Sequence, residues 1–176
     1  MGARTGTHVH LQSNGIADDR VYPVTERQSI SKETTFAEDV VDTDVLRDTL
    51  RWAAQEVGYL ARAIARKGTV VTLKLRLRPF ETHTRSRTLA APTAEDRVIF
   101  DTAWNLYRAD THADRAVRLI GLGLSGWTQA PMQPDLFADL DAREGDHADD
   151  RLDATLDAIR RRFGRHCIRR GLSRRP

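Results

Sequence analysis

Between residues 69 and 78 the chain alternates apolar and polar side chains without a break. Val71, Leu73, Leu75 and Leu77 share one parity; Thr72, Lys74, Arg76 and Arg78 share the other. A period of two over this length fits a strand with one buried face and one wet face. Such a strand commits the rest of the chain to build a hydrophobic layer on one side of a sheet only. Pro79 ends the run, and residues 81–89 read as the return strand of a hairpin.

The flanking segments supply that layer. Residues 29–36 (SISKETTF) are rich in β-branched and hydroxyl side chains and are short enough for a strand. A helix follows, with Thr43 as its cap, Asp44 in the first turn, and Leu46, Leu50, Ala53, Val57, Leu60 and Ile64 recurring every three or four residues. Gly68 supplies its stop. Thr93 with Asp96 approximates a capping box and opens a second helix, striped by Ile99, Ala103 and Leu106. Residues 117–124 (VRLIGLGL) form a continuous apolar strand. The order β-α-β-β-α-β predicts an α+β fold, a small mixed four-stranded sheet with both helices on one face. The other face has nothing in the sequence to cover it.

Three regions follow from the composition: residues 1–27, an extended lead-in with a weak helical patch around Val9 and Leu11; residues 28–127, the compact domain; and residues 128–176, a Pro/Asp/Ala/Gly-rich linker with a terminal helix. Leu152, Leu156, Ile159 and Phe163 give that helix its amphipathic stripe. A hydrophobic fraction of 40% in 176 residues is enough for one core, and 30% charged residues with a mean hydropathy of -0.52 imply a well-solvated surface. No apolar stretch approaches the ~18 residues of a membrane span, and the N-terminus lacks the apolar run of a secretory signal. The single cysteine, Cys167, cannot form an internal disulfide. These features fit a cytoplasmic monomer.

The net charge is only +3, but it is divided into blocks. Residues 70–89 hold five basic side chains against Glu81 alone; residues 131–157 hold nine acids against Arg143 and Arg151; residues 158–176 hold eight arginines and no acid. Separate charge blocks imply separate surfaces. A bare sheet face with cations and hydroxyls suits phosphates, which lysine and arginine neutralise and serine and threonine hydrogen-bond. In the return strand, Thr82, Thr84, Ser86 and Thr88 alternate with His83, Arg85 and Arg87. Placing the small residues beneath the helices leaves the arginines outside, an assignment that a one-residue slip inverts. Apart from Phe80 at the turn, the hairpin has no aromatic ring to stack on bases, so duplex fits better than single-stranded RNA.

The runs RQSISKETTFAED (27–39), THTRSRTL (82–89) and VRLIGLGLSG (117–126) resemble, in order and spacing, the signature stretches of the little finger domain of the bacterial DNA polymerase IV family, the Y-family translesion polymerases. GIADDRVYP (15–23) is similar to the end of that family's thumb and its tether, and LDAIRRRFG (156–164) gives a looser likeness. The resemblance implies a domain that grips primer-template duplex during DNA repair and damage tolerance. Its candidate DNA-binding residues are Ser29, Ser31 and Lys32 on the first strand, Lys74 and Arg76 on the second, and Arg85 and Arg87 on the third. Ser29 also reads as a plain strand-edge hydroxyl. The family's palm, with its two-metal carboxylate cluster, has no counterpart here; Asp18 and Asp19 read as a turn in the tether. The chain alone is therefore expected not to be an enzyme and to need no cofactor, magnesium belonging to the palm.

Gln133-Pro134-Asp135-Leu136-Phe137 resembles the pentapeptide by which bacterial polymerases dock on the sliding clamp, with Gln133, Asp135, Leu136 and Phe137 as the matching residues and Pro134 in place of the usual leucine. His8 and His10 lack further ligands for a metal site, and Cys167 has no evident partner base. The terminal arginines fit either nonspecific DNA affinity or solubility. A protein-interaction adaptor using the acidic linker is the competing reading; a small hydrolase has no paired acid and base to support it.

Overall fold

The computed structural model of the chain describes residues 3–16, 27–110, 114–128, 144–164 and 167–168. Strands β1 (Ser29–Val40), β2 (Gly68–Leu77), β3 (Glu81–Thr93) and β4 (Val117–Trp127) form one sheet in the order β1-β4-β2-β3. Every neighbouring pair is antiparallel, so the expected mixed sheet is not found. β1 and β2 run the same way but are separated by β4, and each is followed by a helix or leads out of one: α2 (Thr43–Ala63) joins β1 to β2, and α3 (Asp96–Arg108) joins β3 to β4. The β-α-β-β-α-β order and α+β class are as the sequence predicts. Among the described residues two further helices lie outside this frame, α1 (Ala3–Ser13), exposed from Thr5 onward, and α4 (Glu144–Phe163). No helix among the described residues is long and apolar enough to cross a membrane.

The core lies between the sheet and the α2–α3 pair. Leu46, Leu50, Ala53, Ala54, Val57 and Ala61 of α2 and Ile99, Phe100, Ala103 and Tyr107 of α3 are buried against Ile30, Phe36, Val71, Leu73, Leu75, Leu77, Ile120, Leu122 and Leu124 of the sheet. The strict alternation of β2 is realised in full, its leucines inward. Asp42, not Thr43, caps α2: its side chain accepts from the Asp44 amide at 2.8 Å. Gly58 lets α2 pass close to the start of α3, where a Cβ would lie 2.2 Å from Asp96 Oδ1.

α4 docks differently from the way its apolar stripe predicts. Leu156 is buried, but Leu152 and Phe163 are exposed. What holds the helix is a polar cluster. Asp153 accepts from the Asp96 backbone amide (3.0 Å), closing the N-terminus of α3 in place of the predicted capping box; Thr93 instead accepts from the Glu95 amide. Arg62 of α2 donates its Nε and Nη2 to the two oxygens of Asp157 (2.6 and 3.0 Å) and its Nη1 to Asp96 (2.9 Å) and Asp153 (3.4 Å). Arg160 reaches Gln55 at 2.9 Å.

Candidate nucleic-acid interface

The sheet face turned away from α2 and α3 is organised by strand register. Residues paired across antiparallel strands point to the same side, so four rows cross the face in strand order. They are Ser29–Ser125–Val70–Thr88, Ser31–Gly123–Thr72–Ser86, Glu33–Gly121–Lys74–Thr84 and Thr35–Leu119–Arg76–Thr82. Rows lie about 6.6 Å apart and strands about 4.8 Å apart. Hydroxyls occupy nine of these sixteen positions and cations only two, so most contacts the face can offer a polyanion are neutral hydrogen bonds. Helices α2, α3 and α4 lie on the far side of the core from it.

Local pairs fix the side chains. Thr72 and Ser86 share a hydrogen bond at 3.0 Å, and Arg76 Nε donates to Thr82 Oγ1 at 3.1 Å. These contacts place the β3 hydroxyls on the open face and so invert the expected arrangement. His83, Arg85 and Arg87 pair with Leu75, Leu73 and Val71 and leave β3 on the helix side. Arg85 there meets Asp110, a buried carboxylate at the end of α3, at 3.1 Å. Lys32 is displaced in the same way. It shares the parity of buried Ile30 and Phe36 and sits over the ring of Trp52 on α2, 5.1 Å from its centroid. Of the seven predicted residues, the structure therefore brings together Ser29, Ser31, Lys74 and Arg76, and places Lys32, Arg85 and Arg87 on the opposite side. Gln133, Asp135, Leu136 and Phe137 lie outside the described residues, as do Asp18 and Asp19.

The basic surplus of the hairpin is also smaller in space than in sequence. Arg78 contacts Asp39 at 2.8 Å, and Arg118 approaches the same carboxylate at 3.5 Å. Arg115 donates to Glu81 (2.7 Å) and to the Arg78 carbonyl, and this contact holds the Glu81 carboxyl below the usual range. Lys74 is engaged by both oxygens of Glu33, at 3.0 and 2.9 Å. Counting by position, the open face carries Lys74 and Arg76 against Glu33. Sequence reasoning passed over Glu33, Thr82, Thr84, Ser86, Thr88 and Ser125 as site residues. Among the described residues no cluster of His, Cys, Asp or Glu is arranged to hold a metal ion.

Fold and face together define a two-layer α+β domain in which, among the described residues, α2, α3 and α4 leave one sheet surface hydroxyl-rich, mildly basic and exposed. The chain belongs to the impB/mucB/samB family, whose C-terminal domain it matches over residues 27–136. It is similar to the DNA polymerase IV of Caulobacter vibrioides (37% identical over 160 residues, 90% of this chain and 38% of that protein) and to that of Dehalococcoides mccartyi strain ATCC BAA-2100 (32% over 170 residues, 94% and 42%). It is also similar to the DNA polymerase IV of Methanoculleus marisnigri (41% over 122 residues, 69% and 34%). The chain thus spans about two fifths of the length of the curated relatives it matches.

Proposed function

We propose that this chain is the DNA-gripping module of a translesion polymerase, laying the open sheet face along the phosphates of primer-template duplex. The observation that carries the reading is the register itself: four rows with nine hydroxyls, and with Lys74 and Arg76 against Glu33 alone, lie on the face that α2, α3 and α4 leave open, in a domain whose relatives are named DNA polymerase IV. Ser29, Ser31, Thr72 and the hydroxyls of β3 donate to phosphate oxygens, and Lys74 and Arg76 supply the charge that makes binding salt-dependent. Glycine at 123 on the inner strand β4 lets a backbone approach closely. None of the sixteen positions of this face carries an aromatic ring to stack on a base, and binding is indifferent to sequence.

The chain spans only about two fifths of relatives named for polymerase activity, and in this reading the chain alone extends no primer. We further propose that Gln133, Asp135, Leu136 and Phe137 dock on a sliding clamp as an extended peptide, with Leu136 and Phe137 as the apolar anchors. Leu136→Ala/Phe137→Ala should abolish capture on immobilised clamp while leaving duplex affinity intact.

The test of the main reading is affinity for labelled primer-template duplex measured against salt. Lys74→Gln/Arg76→Gln should weaken binding about tenfold at low salt and flatten the slope by one to two units. Arg87→Ala, on the other side of β3, should leave the slope where it was. If no duplex binding appears at 50 mM salt, the adaptor reading replaces this one.

A further inference from the structure

Lys74 stands at the centre of the open face, two strands in from the β1 edge and next to the β3 edge strand. Its ammonium is occupied: Glu33 reaches across the whole width of β4 and presents both carboxylate oxygens to Nζ, at 3.0 and 2.9 Å. The path of Glu33 runs flat over Gly121, where an added Cβ would come within 2.6 Å of Glu33 Cγ and 3.2 Å of Cδ. Glycine at this position is what lets the carboxylate lie across the strand. The clip is accessible to solvent, each side chain being about one third exposed (33% for Lys74, 37% for Glu33).

A phosphate arriving at this row meets a carboxylate on the cation it would use. It must replace two charge-assisted hydrogen bonds and approach a like charge to do so. The neighbouring row, Ser31–Gly123–Thr72–Ser86, has no charge, and the row beyond the clip has Arg76 only. Glu33 is therefore placed to set how much of the face's small positive charge reaches a ligand. We propose that Glu33 is an internal competitor for phosphate, holding Lys74 and keeping the affinity of the sheet for duplex low. Duplex binding releases Lys74 from Glu33, and the face grips a backbone loosely enough to move along it. This inference rests on the duplex-binding reading given above.

Four versions of the full chain test it with labelled primer-template duplex between 50 and 200 mM salt: the parent, Glu33→Gln, Lys74→Gln and the double variant. Glutamine keeps the volume and path of Glu33 without its charge, and unfolding midpoints taken in parallel identify any variant that has lost its fold. Glu33→Gln is expected to bind about threefold to fivefold tighter, with a salt slope steeper by about one unit. In the Lys74→Gln background the same change should give less than half that gain. An unchanged or weakened Glu33→Gln overturns the proposal, and so does an equal gain in both backgrounds, which would mark a bulk charge effect. If the parent binds duplex and only these differences fail, the competitor inference alone is wrong. If neither the parent nor Glu33→Gln binds duplex at 50 mM salt, the DNA reading falls and this inference with it.

Discussion

Arg62 gathers three carboxylates from two elements, and its guanidinium is held charged well beyond its ordinary range. Burial opposes the charge, but the hydrogen bond to Asp157 and the field of Asp96 outweigh it. Asp96 is left in the opposite position. Its carboxyl is pushed up to about 7, chiefly by burial and with the help of the Asp153 charge, against the downward pull of Arg62 and Arg160. The sign follows from linkage. A carboxyl whose folded value lies above its unfolded one, here about 7 against an ordinary 3.8, binds its proton more tightly in the folded state. Its stabilising contribution is complete below about pH 4 and is lost as pH rises to about 7. Asp96→Asn keeps the oxygen that accepts from Arg62 and removes the titration. Urea midpoints should show the variant more stable than the parent at pH 8, by about 1–3 kcal/mol, with the difference vanishing near pH 4. Arg85 gives a second prediction at this scale. Arg85→Ala withdraws the cation facing the buried Asp110 carboxylate. The midpoint of thermal unfolding should drop, with a loss of about 1–2 kcal/mol once solvent exposure of the arginine is allowed for. Duplex affinity should hardly change.

At the scale of elements, α4 serves as the missing cap of α3. Asp153→Ala deletes the acceptor for the Asp96 amide and one carboxylate from Arg62, and should cost about 1–2 kcal/mol in chemical unfolding. This docking was not legible in the sequence. Asp153, Asp157 and Arg160 recur at four and three residues, the spacing of a solvated helical face, while the apolar residues that looked inward are partly exposed. Charged side chains at helical period carry no sign of burial until their partners, Arg62 and Gln55, are known. β2 was legible because its leucines leave only one choice of face. β3 was not, because threonines and arginines fit an edge strand either way up. Its facing turns on one loop residue: strands ending at Arg78 and starting at Glu81, as the sequence reads, would pair Leu77 with Thr82 and turn the β3 hydroxyls inward. In the structure three residues, 78–80, separate the strands, so Leu77 opposes Glu81 and Leu75 opposes His83, which sends Arg85 and Arg87 to the helix side. Lys32 follows the parity of Ile30 and Phe36 to the same side.

For the molecule as a whole, the two sides of the sheet have separate work. One side carries the core and the ionic docking of α4; α2, α3 and α4 leave the other open. Ending the chain at residue 128 should therefore lower the unfolding midpoint, since Arg62 and the α3 N-terminus lose Asp153 and Asp157, yet leave the salt slope for duplex unchanged. Loss of both together would place part of the binding surface on the C-terminal segment.

One of the sheet's two inner strands, β4, is also the last described strand in the sequence. β1 has no strand neighbour but β4, which begins some eighty residues downstream, and β2 needs β4 on its inner side as well. During synthesis the ribosome must therefore release residue 127 before the first strand can find any partner. Until then β1 and the β2–β3 hairpin are two unjoined pieces, and a nascent chain stalled short of that point should be digested by protease as readily as an unfolded one.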